Sequence, residues 1–173
     1  MSQPRVVLVG PPGAGKTTIG RRLARALNTT HVDSDALIEQ DQGKPCGEVY
    51  SDLGEEQFRE LEAQHVAQAL QHDGVVSLGG GAVVTDSTRA LLANHEVVWV
   101  DVSVEEGVRR TNQTPTRPVV TGAPGIDPAV RYQQLVDERT PLYREVSGFK
   151  ARTDHRTPQK VVADILRYLE TIS

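Results

Sequence analysis

The sequence is poor in cysteine and aromatic residues and contains no long apolar run. Cys46 is the only cysteine among 173 residues, which rules out an internal disulfide and a cysteine cluster for a metal. No apolar stretch approaches the roughly 20 residues of a membrane-spanning helix. The first residues enter a strand-like run without a signal-peptide pattern. We therefore expect a cytoplasmic protein without a membrane partner.

Net charge of either sign is also small. Lysine and arginine total 19 and aspartate and glutamate total 23, for a formal charge of −4 at pH 7. No global basic field is present, so we expect no nucleic-acid partner.

The length of the chain suits one α/β domain covering residues 1–173 and leaves too few residues for a second domain. Because nothing suggests an obligate interface, we expect a monomer.

The most informative stretch is residues 10–18, which read GPPGAGKTT. It follows the apolar run at 6–9 and precedes a helical pattern, the context typical of a G-x-x-x-x-G-K-[ST] phosphate loop. Such a loop turns backbone N–H groups around a phosphate chain at a helix N-terminus. We interpret it as a nucleoside-triphosphate site in which Lys16 reaches the β- and γ-phosphates and Thr17 binds Mg²⁺. Its nucleotide-binding residues are Gly13, Ala14, Gly15, Lys16, Thr17 and Thr18.

Strand and helix patterns alternate along the rest of the chain, which predicts a mostly parallel sheet covered on both faces. A short strand at 30–33 ends in Asp33 and Asp35, and a buried strand at 75–78 ends in three glycines, 79–81. Ligands bind such sheets beyond the carboxyl ends of the strands. We therefore expect the phosphate loop, the two carboxylates and the glycines to share one site.

Residues 112–128 are rich in threonine, proline and glycine and have few apolar anchors. The segment is too long for a simple connection, and loops of this length are usually functional lids or disordered. We interpret about 112–125 as a mobile lid. Arg117 lies within it, and taken alone it would be an ordinary solvated arginine.

Several candidate site residues allow both a functional and a structural interpretation when only the sequence is considered. Asp35 could serve chemistry or cap a helix, and geometry does not divide its role from that of Asp33. Arg59 could bind an anion or form a surface ion pair with Glu62, three residues on. Tyr50 could line a ligand or pack in the core.

Together, these motifs resemble the shikimate kinase family along nearly the whole chain. The matching motifs are GPPGAGKTT at 10–18, DSD at 33–35, FRELE at 58–62, SLGGGA at 77–82, RP at 117–118, ERTPLYR at 138–144 and HRTP at 155–158. The resemblance implies transfer of the γ-phosphate of ATP to the 3-hydroxyl of shikimate, on the way to chorismate and aromatic amino acids. It also implies a three-layer α/β/α P-loop fold with a five-stranded parallel sheet in the order 2-3-1-4-5. A substrate-binding segment at about 34–62 and the lid complete that fold.

The resemblance assigns roles at the acceptor end of the site. Asp35 orients the substrate hydroxyl and accepts its proton, and a carboxylate of ordinary pKa suffices because phosphoryl transfer depends mainly on positioning and charge neutralisation. Asp33 lies near Mg²⁺, through water, and replaces a Walker-B carboxylate that the third strand lacks. Arg59 and Arg139 clamp the shikimate carboxylate. The backbone at Gly80 and Gly81 contacts substrate hydroxyls.

At the nucleotide end, the resemblance places Arg117 over the β- and γ-phosphates, so that the catalytic set is Lys16, Asp35 and Arg117. Arg110 and Arg156, with Pro158, hold the adenine. An aromatic ring, often phenylalanine, is expected at Tyr50.

Two other functions compete with this interpretation. One is a different P-loop kinase for a small metabolite. The other is a nucleotide switch or a non-catalytic binding protein. A guanine-nucleotide switch would carry N-K-x-D and D-x-x-G, and neither motif occurs in the sequence.

Overall fold

The computed structural model describes residues 3–111 and 126–172. Its described strands are β1 (Pro4–Val9), β2 (His31–Asp33), β3 (Gly74–Ser77), β4 (Val97–Asp101) and β5 (Phe149–Arg152). They form one parallel sheet in the order β2-β3-β1-β4-β5. The predicted sheet and its strand order are confirmed.

Helices connect the strands and cover both faces of the sheet, with a short 3-10 helix at Ala82–Val84. The described α-helices are α1 (Lys16–Ala26), α2 (Ser34–Gln42), α3 (Cys46–Leu53), α4 (Glu55–Ala69), α5 (Asp86–Leu92), α6 (Val104–Thr111), α7 (Pro128–Val146) and α8 (Pro158–Ile172).

The central strand β1 explains why the chain forms three layers. Its residues 6–9 are all buried, and successive side chains point to opposite faces. Val6 and Leu8 join an apolar cluster with α1 and α8, whereas Val7 and Val9 join a second cluster with α4, α5 and α7. A strand covered on both faces needs a continuous apolar run, which is what the sequence shows.

The segment predicted to bind substrate, residues 34–62, folds into α2, α3 and the first two turns of α4. It has a small core of its own, in which Ile38, Val49 and Phe58 are buried together. This core holds α3 and α4 beside the carboxyl ends of β2 and β3. The predicted lid at 112–125, with Arg117, lies outside the described residues.

Among the described helices, none combines the length and the apolar character needed to cross a membrane.

Candidate active site

A cavity of about 650 Å³ lies at the carboxyl ends of β1, β2 and β3. It brings together most of the residues that the sequence predicts for one site. Those that line it are Gly13, Gly15, Lys16, Thr17, Thr18, Asp33, Asp35, Arg59, Gly80, Gly81, Arg110 and Arg139. Ala14, within the phosphate loop, is fully buried, and its N–H donates to the Pro11 carbonyl at 3.2 Å. Nucleotide binding by Ala14 stays a prediction.

The phosphate loop joins β1 to α1 and surrounds the ammonium group of Lys16. Lys16 Nζ donates to the carbonyl oxygens of Gly10 at 2.7 Å and Pro11 at 3.1 Å. Gly15 precedes α1 with φ of +96°, a left-handed conformation that other residues adopt only with strain. The loop therefore presents a helix N-terminus and one lysine to the cavity, which is the arrangement that binds phosphate.

Asp33 has two structural roles at the end of β2. Its Oδ1 accepts a hydrogen bond from the backbone N–H of Asp35 at 2.9 Å and so caps α2. Its Oδ2 accepts from the Thr17 hydroxyl at 2.9 Å. Asp33 is thus the helix cap, and the carboxylate of Asp35 is left to face the cavity.

Thr17 and Asp33 together suit a Mg²⁺ ion that also binds the substrate's phosphates and water, and they are too few to hold a metal ion by protein ligands alone. Mg²⁺ usually takes one or two protein oxygens, phosphate oxygens of the substrate and several waters. Within residues 3–111 and 126–172, no group of three or more histidine, cysteine, aspartate or glutamate side chains could hold a metal. One hydroxyl and one carboxylate beside the phosphate loop are the donors that a shared ion requires.

Asp35 lies in an unusually acidic part of the cavity. Burial raises the pKa of Asp35 to about 7, and the carboxylates of Asp33 and Glu62 add to the rise, while Lys16 opposes it. An ordinary pKa would suffice for the proposed reaction, but the pKa of Asp35 lies above the ordinary value. A carboxylate that exchanges its proton near neutral pH suits a general base better than an ordinary one.

Arg59 is held at the cavity by two carboxylates. Its Nη1 donates to Glu62 at 2.8 Å and its Nε donates to Glu55 at 3.1 Å. Burial lowers the pKa of Arg59, but these two carboxylates outweigh burial and raise the pKa above its ordinary value. Glu62 is 2% exposed, so the alternative of a surface ion pair is excluded.

Arg139 reaches the same region from α7 and is 6% exposed. Burial raises the pKa of the Tyr143 hydroxyl, and the nearby charge of Arg139 opposes the rise. Burial raises the pKa of Glu62, and both Arg59 and Arg139 oppose the shift, so Glu62 lies within reach of both charges. Two guanidinium groups from different helices thus flank one acidic residue, an arrangement able to bind an additional carboxylate.

The three glycines after β3 pack against three different parts of the site. A Cβ atom at Gly79 would lie 2.5 Å from Asp35 Oδ1, one at Gly80 3.0 Å from the Pro12 ring, and one at Gly81 2.3 Å from Arg59 Nη2. Gly79 also donates its N–H to the Ser34 hydroxyl at 3.2 Å. The glycines allow the phosphate loop, the carboxylate and Arg59 to approach one backbone closely.

Tyr50 packs in the small core of the segment at 34–62 and also borders the cavity, and its role toward a ligand stays a prediction. It lines the cavity, and its ring packs against Phe58 at a centroid distance of 5.3 Å. Its hydroxyl donates to Glu55, the residue that also holds Arg59. Sequence reasoning missed Glu55, although its position four residues before Arg59 on one helix was a usable signal.

Comparison with known proteins agrees with this geometry. The shikimate kinase family model matches residues 12–170. The chain belongs to the shikimate kinase family. A shikimate kinase from Corynebacterium efficiens is 65% identical over 170 residues, covering 98% of this chain and 99% of that protein. A shikimate kinase from Corynebacterium glutamicum is 62% identical over 170 residues, again covering 98% of this chain and 99% of that protein.

Solved structures of the shikimate kinase family share the fold over its full length. A shikimate kinase from Acinetobacter baumannii in complex with shikimate superimposes with a TM-score of 0.91 at 30% identity, covering 100% of this chain and 96% of that one. The resemblance proposed from the motifs is confirmed, and so is the three-layer P-loop fold.

Of the described residues predicted for this shikimate kinase site, Ala14, Arg156 and Pro158 do not line the cavity. Arg117 lies outside the described residues. Arg156 pairs with Asp164 of α8, and Pro158 begins that helix. Arg110 does line the cavity and donates to the Gly13 carbonyl at 3.0 Å. Adenine binding by Arg110, Arg156 and Pro158 stays a prediction.

Proposed function

We propose that the enzyme transfers the γ-phosphoryl group of ATP to the 3-hydroxyl of shikimate and uses Mg²⁺ as cofactor. The observation that carries the proposal is the order of groups along one cavity. The phosphate loop, Asp35, Arg59 and Arg139 all line it. The charges acting on Asp35 include that of Lys16 and that of Glu62, the partner of Arg59, which supports a position of Asp35 between the loop and the arginine pair. This order matches a triphosphate, a reacting hydroxyl and an acceptor carboxylate.

In this reaction the chain acts mainly by positioning and charge. Lys16 and the loop N–H groups hold the phosphates, and Asp35 orients the acceptor hydroxyl and accepts its proton. Arg59 and Arg139 hold the acceptor carboxylate in a planar, bidentate manner that lysine cannot reproduce. When Mg²⁺ is bound at Thr17 and Asp33, it neutralises phosphate charge. Arg117 and a lid at 112–125 are proposed to add charge and exclude water.

The enzyme is proposed to work as a cytoplasmic monomer without a nucleic-acid or membrane partner. The small negative net charge supports the absence of nucleic-acid binding.

The function is tested by measuring ADP release in the presence of Mg²⁺ and ATP. We expect shikimate to stimulate release strongly, whereas gluconate and nucleoside monophosphates leave it at the background rate. A shikimate analogue with a primary alcohol in place of the carboxylate should show a much higher KM, because it cannot use the arginine pair. Stimulation by gluconate or a nucleoside monophosphate alone would overturn the proposal in favour of another small-metabolite kinase.

A methyl group at position 81 should weaken acceptor binding specifically. In Gly81→Ala, the new Cβ would approach the Arg59 guanidinium to 2.3–2.6 Å, so Arg59 must move. We expect the KM for shikimate to rise roughly 10- to 100-fold, since a displacement of about 1 Å can cost that much. The KM for ATP should stay within about twofold, and thermal unfolding measures separately how far the displaced Arg59 weakens its buried ion pair with Glu62.

Gly148→Ala is the matched control for this variant. Its Cβ would approach the Tyr168 hydroxyl to 2.4 Å, so a side-chain end must also move, but neither residue lines the cavity. Kinetic constants of Gly148→Ala should equal those of the wild type. An unchanged shikimate KM in Gly81→Ala would contradict the proposed role of Arg59.

A further inference from the structure

Two tyrosine hydroxyls of α7 bind the two glycine-rich loops of the site. Tyr132 Oη donates to the carbonyl oxygen of Pro12 at 2.7 Å, and Tyr143 Oη donates to that of Gly80 at 2.6 Å. The residues are eleven positions apart, about three helical turns, so they share one face of α7. Both are fully buried, and neither lines the cavity.

These bonds determine which way two peptide groups point. In a planar trans peptide, the C=O of one residue and the N–H of the next point in opposite directions, and the described chain has no cis peptide bond. Tyr132 draws the Pro12 carbonyl away from the cavity, so the Gly13 N–H faces into it. Tyr143 draws the Gly80 carbonyl away in the same manner, so the Gly81 N–H faces the region of Arg59.

Both tyrosines are themselves tightly placed. The Tyr132 hydroxyl lies over Gly107 of α6, where a Cβ atom would be only 2.1 Å from it. The Tyr143 ring packs on Trp99 at a centroid distance of 5.8 Å, and the charge of Arg139 lies near its hydroxyl. Such rigid donors can orient a loop peptide before any ligand arrives.

We propose that Tyr132 and Tyr143 are positioning residues that orient one backbone N–H for each substrate. Tyr132 orients the Gly13 N–H toward the phosphates of the nucleotide, and Tyr143 orients the Gly81 N–H toward the acceptor. The assignment of the acceptor half rests on the proposed function, whereas the nucleotide half requires only that the phosphate loop binds ATP or ADP. One helix thus sets the geometry of both subsites.

The test compares Tyr132→Phe and Tyr143→Phe, each of which removes one hydroxyl. Tyr168→Phe is the matched control, because the Tyr168 hydroxyl donates to Glu96 outside the cavity. Steady-state constants are measured for both substrates, together with ADP affinity by calorimetry without shikimate. Thermal unfolding of each variant reports the loss of a buried hydrogen bond separately.

Tyr132→Phe is expected to weaken ADP binding and raise the KM for ATP roughly tenfold, with the shikimate KM within twofold. Tyr143→Phe should raise the shikimate KM by a similar factor and leave ADP affinity unchanged. The control should alter neither. Equal changes of both KM values in both variants, or lowered unfolding temperatures with wild-type constants, would overturn the proposal and leave the tyrosines as scaffold.

Two further comparisons separate the possible causes. If Tyr143 acted only through Arg139, Tyr143→Phe would leave the KM for the alcohol analogue unchanged, because that analogue has no carboxylate for Arg139 to bind. Such a result would overturn the acceptor half, the proposal that Tyr143 orients the Gly81 N–H. An equal loss with shikimate and the analogue supports that half. A loss of ADP affinity in Tyr132→Phe supports the nucleotide half even if shikimate proves not to be the acceptor.

Discussion

Asp35→Asn is expected to lower kcat roughly 100- to 10,000-fold, the range contributed by a positioned general base. The amide keeps the size of the side chain but cannot accept the proton of the acceptor hydroxyl. ADP affinity should stay within a few-fold, because the phosphate loop is intact and Asp33, not Asp35, bonds Thr17 and caps α2. Steady-state kinetics and calorimetry measure the two effects. Wild-type turnover in this variant would show that Asp35 has no chemical role.

The raised pKa of Asp35 gives this prediction a pH dependence. At sub-saturating substrates, activity of the wild type should rise through about pH 7 as Asp35 loses its proton. The residual activity of Asp35→Asn should lack that rise. A wild-type profile that is flat between pH 6 and 8 would show that Asp35 is already ionised in the working enzyme.

The same substitution should stabilise the substrate-free protein. The folded state holds the Asp35 proton up to about pH 7, whereas an unfolded chain releases it near pH 3.9. The contribution of Asp35 to stability therefore falls as the pH rises between these values. At pH 8 the free energy of unfolding of Asp35→Asn should exceed that of the wild type by roughly 1–3 kcal/mol, and the difference should shrink near pH 4. Chemical denaturation at both pH values measures it.

Arg139→Lys is expected to raise the KM for shikimate roughly 10- to 100-fold, the worth of one well-placed hydrogen bond to a charged group. Lysine keeps the positive charge but loses the planar fork that binds a carboxylate at two points. The KM for ATP should stay within about twofold, because Arg139 lies at the acceptor end of the cavity.

Arg59→Lys should have a similar effect on shikimate, since Glu55 and Glu62 hold the guanidinium at two points. Arg89→Lys is the control. Like Arg59, Arg89 pairs with two carboxylates, those of Asp86 and Glu145, but it does not line the cavity. Its kinetic constants should match those of the wild type. Unchanged shikimate KM values in both clamp variants would refute the carboxylate clamp.

The two aspartates show where sequence reasoning stopped. The DSD motif could be placed at a strand end, and the resemblance assigned a role to each carboxylate. Only the backbone turn from β2 into α2 shows that Asp33 caps the helix through its Oδ1. The raised pKa of Asp35 depends on burial and on Glu62, which is 27 positions away in sequence and on another helix. No local pattern carries that information.

The glycines after β3 and the tyrosines of α7 likewise form contacts with distant segments that no local sequence pattern predicts. Three glycines after a buried strand indicated close approach of a ligand to the backbone, but not that Asp35, Pro12 and Arg59 would approach it. Tyr132 lies 120 positions from the carbonyl that it binds. Such contacts depend on how α7 crosses the end of the sheet.

The sheet order came only from the resemblance of the ordered motifs to a known family. Local patterns along the chain were sufficient for the phosphate loop and for the strands and helices. These follow from short-range rules: an apolar run forms a buried strand, and glycines followed by lysine and threonine at a helix start bind phosphate. The tertiary structure alone decided which aspartate caps a helix, how far the pKa of Asp35 rises, and which tyrosines bond to the loops. Those properties arise from burial and from charges and hydrogen bonds between distant segments, and they exist only once the chain has folded.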